Sequence, residues 1–112
     1  MRKPLIVILG PTASGKTAFA HQLASVFKGE LINADSRQIY KGMNIGTAKA
    51  TRNTHLLDIV EPNQNFSVAD YKKLAIEAIN DVAKRGKLPF LVGGAGLYIK
   101  AIVDNLAFPR VV

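Results

Sequence analysis

A glycine-rich stretch near the amino terminus constrains the fold of this chain more than any other feature. Residues 10–17 match the pattern G-x-x-x-x-G-K-[ST] and follow the apolar run Leu5–Leu9. Placed between a buried strand and a helix, this pattern predicts a phosphate-binding P-loop. The alternative is a glycine turn with an incidental lysine. It would require that the strand before this stretch and the helix after it are there by coincidence.

The P-loop pattern predicts the contacts of a diphosphate or triphosphate. Its glycines allow successive backbone N–H groups to point at one anion, and the helix that follows adds a partial positive charge of about half a unit. Lys16 is expected to reach the terminal phosphate, and the Thr17 hydroxyl to ligate Mg²⁺. The predicted phosphate-binding residues are Gly10, Pro11, Thr12, Ala13, Ser14, Gly15, Lys16 and Thr17.

Apolar runs typical of buried strands alternate with helical patterns along the chain. Strands are predicted at 5–9, 31–35, 56–60 and 88–92, and helices at 16–27, 67–85 and 97–104. Strands alternating with helices indicate a parallel sheet with right-handed crossovers. The predicted fold class is α/β: a P-loop NTPase-like, three-layer α/β/α arrangement, which we expect to be truncated. Residues 36–52 are predicted to form an irregular functional loop.

Several residues predict where the helices begin and end. Ser67 with Asp70 resembles a capping box, and Gly86 is placed to stop that helix. Gly29 is placed to stop the first helix. One stripe of the first helix is apolar; it comprises Phe19, Ala20, Leu23, Ala24 and Phe27.

The length of 112 residues allows one domain and is small for a P-loop enzyme. We therefore expect residues 1–112 to be a P-loop catalytic core that is part of something larger. Residues 108–112 show no closing element, and the strand at 88–92 is expected to leave a sheet edge that a missing half would cover.

Composition excludes several classes of site. The chain has no cysteine, so disulfides, thiolate catalysis and cysteine-based zinc sites are excluded, and two histidines, His21 and His55, do not make a zinc motif. No apolar run reaches the roughly 18 residues that span a bilayer. The apolar start is better explained by a strand than by a signal peptide, since no cleavage site follows. We therefore expect a cytoplasmic protein with no membrane partner.

Basic residues outnumber acidic ones by 15 to 8, a formal net charge of +7. Such a charge favours an anionic partner such as phosphate or nucleic acid. No acidic residue lies between Asp35 and Asp58, where four basic residues fall: Arg37, Lys41, Lys49 and Arg52. Whether these contact a ligand or only water is left open by the sequence.

The strand ends argue against ATP hydrolysis. An ATP-hydrolysing P-loop protein normally has an apolar strand that ends in an aspartate for the metal. Here the strand at 88–92 runs into a Gly93-Gly94-Ala95-Gly96 turn, and Asp35 is the one acid at a strand end near the P-loop. Asp35 could accept a proton from a nucleophile, act as an outer-shell metal partner, or simply cap a turn. Tyr98, behind the glycine turn, is expected to be a core residue.

Five segments together resemble the tRNA dimethylallyltransferases, in order and over nearly the whole chain. They are Gly-Pro-Thr-Ala-Ser-Gly-Lys-Thr at 10–17, Asn-Ala-Asp-Ser-Arg-Gln-Ile-Tyr-Lys-Gly-Met-Asn-Ile-Gly-Thr-Ala-Lys at 33–49, His-Leu-Leu-Asp-Ile-Val-Glu-Pro at 55–62, Phe-Ser-Val-Ala-Asp-Tyr at 66–71 and Leu-Val-Gly-Gly at 91–94. The second segment is the most specific to that family.

The resemblance implies transfer of a dimethylallyl group from its diphosphate to N6 of the adenosine 3′ of the anticodon in tRNA. Dimethylallyl diphosphate and the tRNA anticodon stem-loop are then the partners, Mg²⁺ the cofactor, and a monomer the expected full-length form. Lys16 and Asp35 would be catalytic, with Asp35 accepting the N6 proton. The implied tRNA-binding residues are Asp35, Ser36, Arg37, Gln38 and Ala95.

Three departures from the family pattern stand out. Ala95 replaces the usual threonine, whose lost hydrogen bond would cost about 1–3 kcal/mol. The stretch before His55 is short, and the usual His-His pair reads Thr54-His55. The family's helical tRNA-gripping insertion and a later arginine lie beyond the residues present. Three alternatives stay open: an adenylate isopentenyltransferase, a small-molecule or nucleotide kinase, and an inactive diphosphate-binding fragment.

Overall fold

The computed structural model describes residues 5–9, 16–35, 39–40, 54–57, 59–93, 97–105 and 110–111. Within these ranges there are three helices and five strands. The strands form one parallel sheet of order β3-β2-β4-β1-β5. The elements are β1 (Leu5–Leu9), α1 (Lys16–Phe27), β2 (Gly29–Asn33), β3 (Thr54–His55), α2 (Val68–Lys84), β4 (Leu88–Gly93), α3 (Leu97–Asn105) and β5 (Arg110–Val111).

Strand β4 lies at the centre of the sheet. It pairs with β1 from Ile6 opposite Phe90 to Leu9 opposite Gly93, and with β2 from Gly29 opposite Leu88 to Asn33 opposite Val92. The predicted sheet edge at 88–92 is therefore wrong. The short strand β5, which pairs with β1, was not predicted either.

Alternate residues of each strand point to opposite faces of the sheet, and each face has its own core. Leu5, Val7, Ile32 and Leu91 belong to the core under α2 and α3. The core under α1 contains Ala20, Ala24, Leu31, Phe90 and Val92. Helices thus cover both faces, which confirms the predicted three-layer α/β/α arrangement.

Helix α1 meets the sheet through small residues. Ala20 and Ala24 are buried, whereas Phe19 and Phe27 are 54% and 58% exposed. The predicted stripe is therefore correct at its centre and wrong at these two phenylalanines. The alanines let the helix approach the sheet closely, and Phe19 lies about 100° around the helix from Ala20.

The end of α1 differs from the prediction. Lys28, with φ of 54°, takes the left-handed conformation that ends the helix, and Gly29 already begins β2. Gly29 is needed there for space, because a Cβ would lie 2.6 Å from the carbonyl oxygen of Leu88 and would clash with the Phe90 ring.

The boundaries of α2 were predicted correctly. The Ser67 hydroxyl accepts from the backbone N–H of Asp70 (3.1 Å), and the Asp70 carboxylate accepts from that of Ser67 (2.9 Å), which completes the capping box. Gly86 follows the helix with φ of +80°. Residues 88–93 and 97–105 likewise form the predicted strand and helix.

The strand predicted at 56–60 is wrong. The strand is instead Thr54–His55, beside β2, and Leu56 leaves it with φ of 68°. Val60 makes only an isolated bridge with Tyr40. A leucine in the left-handed region breaks the extended backbone, so the apolar pattern could not continue as a strand. The predicted loop at 36–52 lies outside the described residues except for residues 39 and 40. No helix in the described ranges is long and apolar enough to cross a bilayer.

Candidate active site

Three strand ends meet at the carboxyl edge of the sheet. Leu9, which ends β1 and precedes the P-loop sequence, is paired with Gly93 at the end of β4. Asn33, which ends β2, is paired with Val92, and the next N–H along the chain, that of Ala34, donates to the carbonyl of Val92 at 2.8 Å. The segments that follow β1, β2 and β4 therefore leave the sheet side by side, as expected of a ligand site in an open α/β sheet.

The predicted site residues fall into two groups. Asp35 is described and half-buried, and the backbone of Lys16 and Thr17 forms the first turn of α1. The remaining predicted residues lie outside the described residues; they are Gly10, Pro11, Thr12, Ala13, Ser14, Gly15, Ser36, Arg37, Gln38 and Ala95. Their roles stay predictions. The four basic residues between Asp35 and Asp58 also lie outside the described residues.

Gly93 allows β2 and β4 to approach closely beside Asp35. A Cβ at this position would lie 2.7 Å from the carbonyl oxygen of Ala34 and 2.9 Å from its side chain. Real Cβ atoms do not come this close to a backbone oxygen, so any larger residue would push the end of β2 away. The first glycine of the predicted turn therefore serves strand packing at the edge of the site.

Asn33 holds the backbone of Asp35 on both sides. Its Oδ1 accepts from the Asp35 N–H (3.0 Å), and its Nδ2 donates to the Asp35 carbonyl (3.0 Å). The same Nδ2 donates to the carbonyl of Leu56 at 3.1 Å. Asn33 is 5% exposed and was not among the predicted site residues. Its position could have indicated a role, because an asparagine that ends a buried strand needs polar partners.

Tyr71 fixes Asn33 from the α2 side. Its hydroxyl donates to the Asn33 carbonyl at 2.8 Å, and its ring stacks on Tyr98, with centroids 4.0 Å apart. Burial raises the pKa of Tyr71 well above its ordinary value, so the phenol keeps the proton that it donates. Tyr98 is 9% exposed, which confirms the expectation that it belongs to the core.

A second polar cluster lies around Glu30, a buried carboxylate of β2. Arg85 donates to both carboxylate oxygens, at 2.6 and 2.8 Å, His55 is hydrogen-bonded at 2.6 Å, and the Lys87 ammonium lies 3.2 Å away. Chiefly because of the Arg85 hydrogen bonds, the pKa of Glu30 lies far below its ordinary value. Sequence reasoning missed this cluster, since Arg85 is 55 positions from Glu30.

A parallel α/β sheet, a P-loop sequence between its first strand and helix, and an aspartate just after β2, two strands away, define a P-loop protein of the NTPase-like class. The chain belongs to the IPP transferase family, whose model matches residues 38–111. The fold class and the family resemblance are thereby confirmed.

Curated relatives and solved structures agree with this family. The chain is 54% identical to the tRNA dimethylallyltransferase of Roseiflexus sp. strain RS-1 over 96% of its own length and 37% of that protein. It is 54% identical to that of Thermoanaerobacter sp. strain X514, over 93% and 35%. It therefore spans little more than a third of these relatives.

Two solved structures share the fold. The full-length tRNA isopentenylpyrophosphate transferase of Bacillus halodurans is 44% identical, with a TM-score of 0.86 over 96% of this chain and 38% of that one. A eukaryotic dimethylallyltransferase acting on tRNA is 33% identical, with a TM-score of 0.82 over 89% and 26%.

Proposed function

We propose that this chain is the P-loop part of an enzyme that transfers a dimethylallyl group from dimethylallyl diphosphate to N6 of the adenosine 3′ of the anticodon in tRNA. Family membership supports the class of reaction, and the names of the relatives support tRNA as the acceptor. Adenylate isopentenyl transfer, phosphoryl transfer and binding without turnover are the outcomes that would argue against it.

One observation carries the proposal: β1, which precedes the P-loop sequence, and β2, which precedes Asp35, end at the same sheet edge two strands apart. Strand β4 separates β1 from β2, so Leu9 and Ala34 are about 10 Å apart at the usual strand spacing. That separation leaves room for a diphosphate on one side and an acceptor amine beside Asp35 on the other. Strand β4 ends in a glycine where a hydrolytic P-loop enzyme would have a carboxylate.

The chemistry assigned to the residues is a displacement at the allylic carbon. The C–O bond to the diphosphate breaks and its electron pair leaves with the diphosphate, while the N6 lone pair forms the new C–N bond. The N6 proton passes to the Asp35 carboxylate. Backbone N–H groups of the P-loop and the Lys16 ammonium stabilise the charge that develops on the leaving group.

We further propose that Thr17 contributes to a Mg²⁺ site. A hydroxyl oxygen, together with diphosphate oxygens, is the kind of ligand set that Mg²⁺ prefers, and Thr17, the last residue of the P-loop motif, lies in the first turn of α1. When bound, the cation would add positive charge beside the leaving group. Among the described residues no group of three or more His, Asp or Glu side chains could hold a metal.

The acceptor contacts are assigned to the segment after β2 and to the glycine turn. Ser36, Arg37 and Gln38 directly follow Asp35 in the sequence, and Ala95 follows the end of β4. The target adenosine would have to leave its stack to bring N6 beside Asp35. A monomer in the cytoplasm remains our expectation for the whole protein.

The test is an assay of the 112-residue chain with Mg²⁺, labelled dimethylallyl diphosphate and unmodified tRNA, with AMP and ATP as alternative substrates. Label in tRNA supports the proposal. Label in AMP but not in tRNA would mean a nucleotide prenyltransferase, and phosphoryl transfer from ATP would mean a kinase. Diphosphate binding without any transfer would argue against the proposal and for an inactive diphosphate-binding fragment.

Two variants separate binding from chemistry. Lys16→Ala should abolish diphosphate binding, whereas Lys73→Ala, an exposed lysine of α2, should not. Asp35→Ala should keep diphosphate binding and lose transfer by about a hundredfold or more, as expected for loss of a general base. Glu77→Gln is the control for loss of an acidic charge. Loss of diphosphate binding in Asp35→Ala would instead indicate a metal-binding role for Asp35.

A further inference from the structure

We infer that Asn33 is a positioning residue for Asp35, an inference that rests on the proposed function of Asp35 as the base. The side-chain amide of Asn33 bonds the N–H and the carbonyl of Asp35 at the same time, both at 3.0 Å. Both backbone groups of the proposed base are thus held by one buried side chain. Those two bonds fix the backbone of Asp35 and with it the direction of its Cα–Cβ bond.

The hold on Asp35 extends to a second loop. Through its other Nδ2 hydrogen, Asn33 donates to the carbonyl of Leu56, which has left β3 with φ of 68°. The left-handed turn at Leu56 places that carbonyl within reach of β2, 23 positions earlier in the chain. Asn33 therefore ties the segment that carries Asp35 to the segment after β3.

Asn33 itself is fixed from two directions. Its carbonyl accepts from the Tyr71 hydroxyl at 2.8 Å, and Tyr71 is stacked on Tyr98 of α3. The sheet pairing then continues one residue past β2, where the Ala34 N–H donates to the Val92 carbonyl. The anchor of Asp35 is thus part of the core.

The chemistry requires an amide at position 33. Only a group that both donates and accepts can bond an N–H and two carbonyls at once. Alanine would remove the hydrogen bonds to the Asp35 N–H, the Asp35 carbonyl and the Leu56 carbonyl. Serine could still accept from the N–H two residues on, but it could not reach both carbonyls. The transfer rate is therefore expected to be highest with Asn33, lower in Asn33→Ser and lowest in Asn33→Ala.

Hydrogen exchange tests the hydrogen bonds between Asn33 and the Asp35 backbone without relying on activity. In Asn33→Ala the Asp35 amide should exchange about tenfold faster or more, as expected from a lost hydrogen bond. The Ala34 amide, which bonds Val92, should change far less and serves as the internal control. In Asn33→Ser the exchange rate of the Asp35 amide should stay closer to that of the unsubstituted chain. This variant still tests the hydrogen bond if Asn33→Ala does not fold. Equal changes at Ala34 and Asp35 would overturn the inference.

Kinetics test whether the hold serves catalysis. Asn33→Ala should lower kcat by about tenfold or more and leave KM for dimethylallyl diphosphate unchanged, because Asp35, which Asn33 positions, is assigned to the acceptor and not to the diphosphate. In an Asp35→Ala background the same substitution should change the residual rate by less than about twofold, since no base remains to be positioned.

Some results would overturn this role. Equal losses from Asn33→Ala in both backgrounds, or losses matched by the exposed control Asn65→Ala, would mean that Asn33 has no positioning role. If the unsubstituted chain transfers no label, that counts against the proposed function, and the Asp35 exchange rate still decides whether Asn33 holds Asp35.

Discussion

Glu30 is a buried carboxylate that three basic side chains surround. Arg85 comes from the end of α2, His55 from β3, and Lys87 from the segment before β4. The Arg85 pair is bidentate, the strongest geometry for a guanidinium and a carboxylate. The cluster therefore joins the amino-terminal part of β2 to three other segments.

The Glu30 cluster predicts how stability changes with pH. The pKa of Glu30 lies below its ordinary value of 4.5 in the folded chain, so the ionised carboxylate stabilises the fold fully above that value. This contribution is lost progressively as the pH falls below 4.5. Urea unfolding should therefore show a decline in the free energy of unfolding on acidification, and Glu30→Gln should flatten it. An unchanged slope in Glu30→Gln would contradict the prediction; Glu77→Gln, at an exposed site, is the control.

Removing Arg85 should destabilise the chain. Arg85→Ala leaves the buried Glu30 carboxylate with only His55 and Lys87, and we expect a loss of about 1–3 kcal/mol in the free energy of unfolding. Lys84→Ala, at the neighbouring exposed lysine, should change it by less than about 0.5 kcal/mol. Similar losses in the two variants, measured by urea unfolding, would mean that the ion pair adds nothing.

Two glycines should respond differently to substitution. Gly93→Ala places a Cβ against the backbone of Ala34, and we expect a loss of about 1–3 kcal/mol together with weaker transfer. Gly86 has open space around it but φ of +80°, so Gly86→Asn, which tolerates that conformation, should cost less than Gly86→Ala. Thermal unfolding of the three variants measures this. Equal costs at Gly93 and Gly86 would argue against a close approach of β2 and β4.

At the scale of the element, α2 shows how local signals and packing agree. Its first residues are held by the reciprocal bonds of Ser67 and Asp70, and its buried face places Tyr71, Ala75, Ile79 and Val82 against the sheet. The backbone N–H of Ser67 lowers the pKa of Asp70, so the capping box is strongest when Asp70 is ionised. The helix therefore presents Tyr71 to Asn33 from a fixed starting point.

The cap of α2 can be measured directly. Ser67→Ala should lower the free energy of unfolding by about 1 kcal/mol and speed hydrogen exchange in the first turn of the helix. Ser67→Thr keeps an oxygen that can accept from Asp70 and should stay close to the original stability. If alanine and threonine behaved alike, the hydroxyl would have no capping role.

At the scale of the whole molecule, two features are prominent: the net positive charge, and the unequal number of described helices on the two faces of the sheet. Two helices cover one face of the sheet and α1 alone covers the other, and Phe19, Val26 and Phe27 of α1 are exposed. The formal net charge is +7. A small basic protein of this kind attracts RNA through its phosphates before any base is recognised.

Binding of tRNA by the 112-residue chain should therefore depend strongly on salt. We expect the affinity to fall by about tenfold or more between roughly 50 and 200 mM salt, because each neutralised phosphate releases counterions. Modified and unmodified tRNA should bind equally if charge dominates. A titration in which the affinity does not change with salt would show that recognition rests on base contacts instead.

Much of the fold could be predicted because it depends on neighbours in sequence. The helices, the caps of α2 and strands β1 and β4 follow from periodicity, glycine placement and hydrogen bonds between residues three apart. Strand β3 could not be predicted, because it ends at the left-handed Leu56, whose carbonyl accepts from Asn33, 23 positions earlier. Of the candidate site, Asp35 was predicted from its place at a strand end, whereas Asn33 and Tyr71 were not.

The sequence alone therefore determined the phosphate-binding motif, the alternation of strands and helices, and an aspartate placed after a strand. These depend on residue type and on spacings of a few positions. Only the tertiary structure decided that β4 lies between β1 and β2, that Arg85 reaches Glu30 and that Asn33 bonds Leu56. The partners in those contacts are 23 to 55 positions apart, or lie on strands whose order depends on how the crossovers pack, and no local pattern records either.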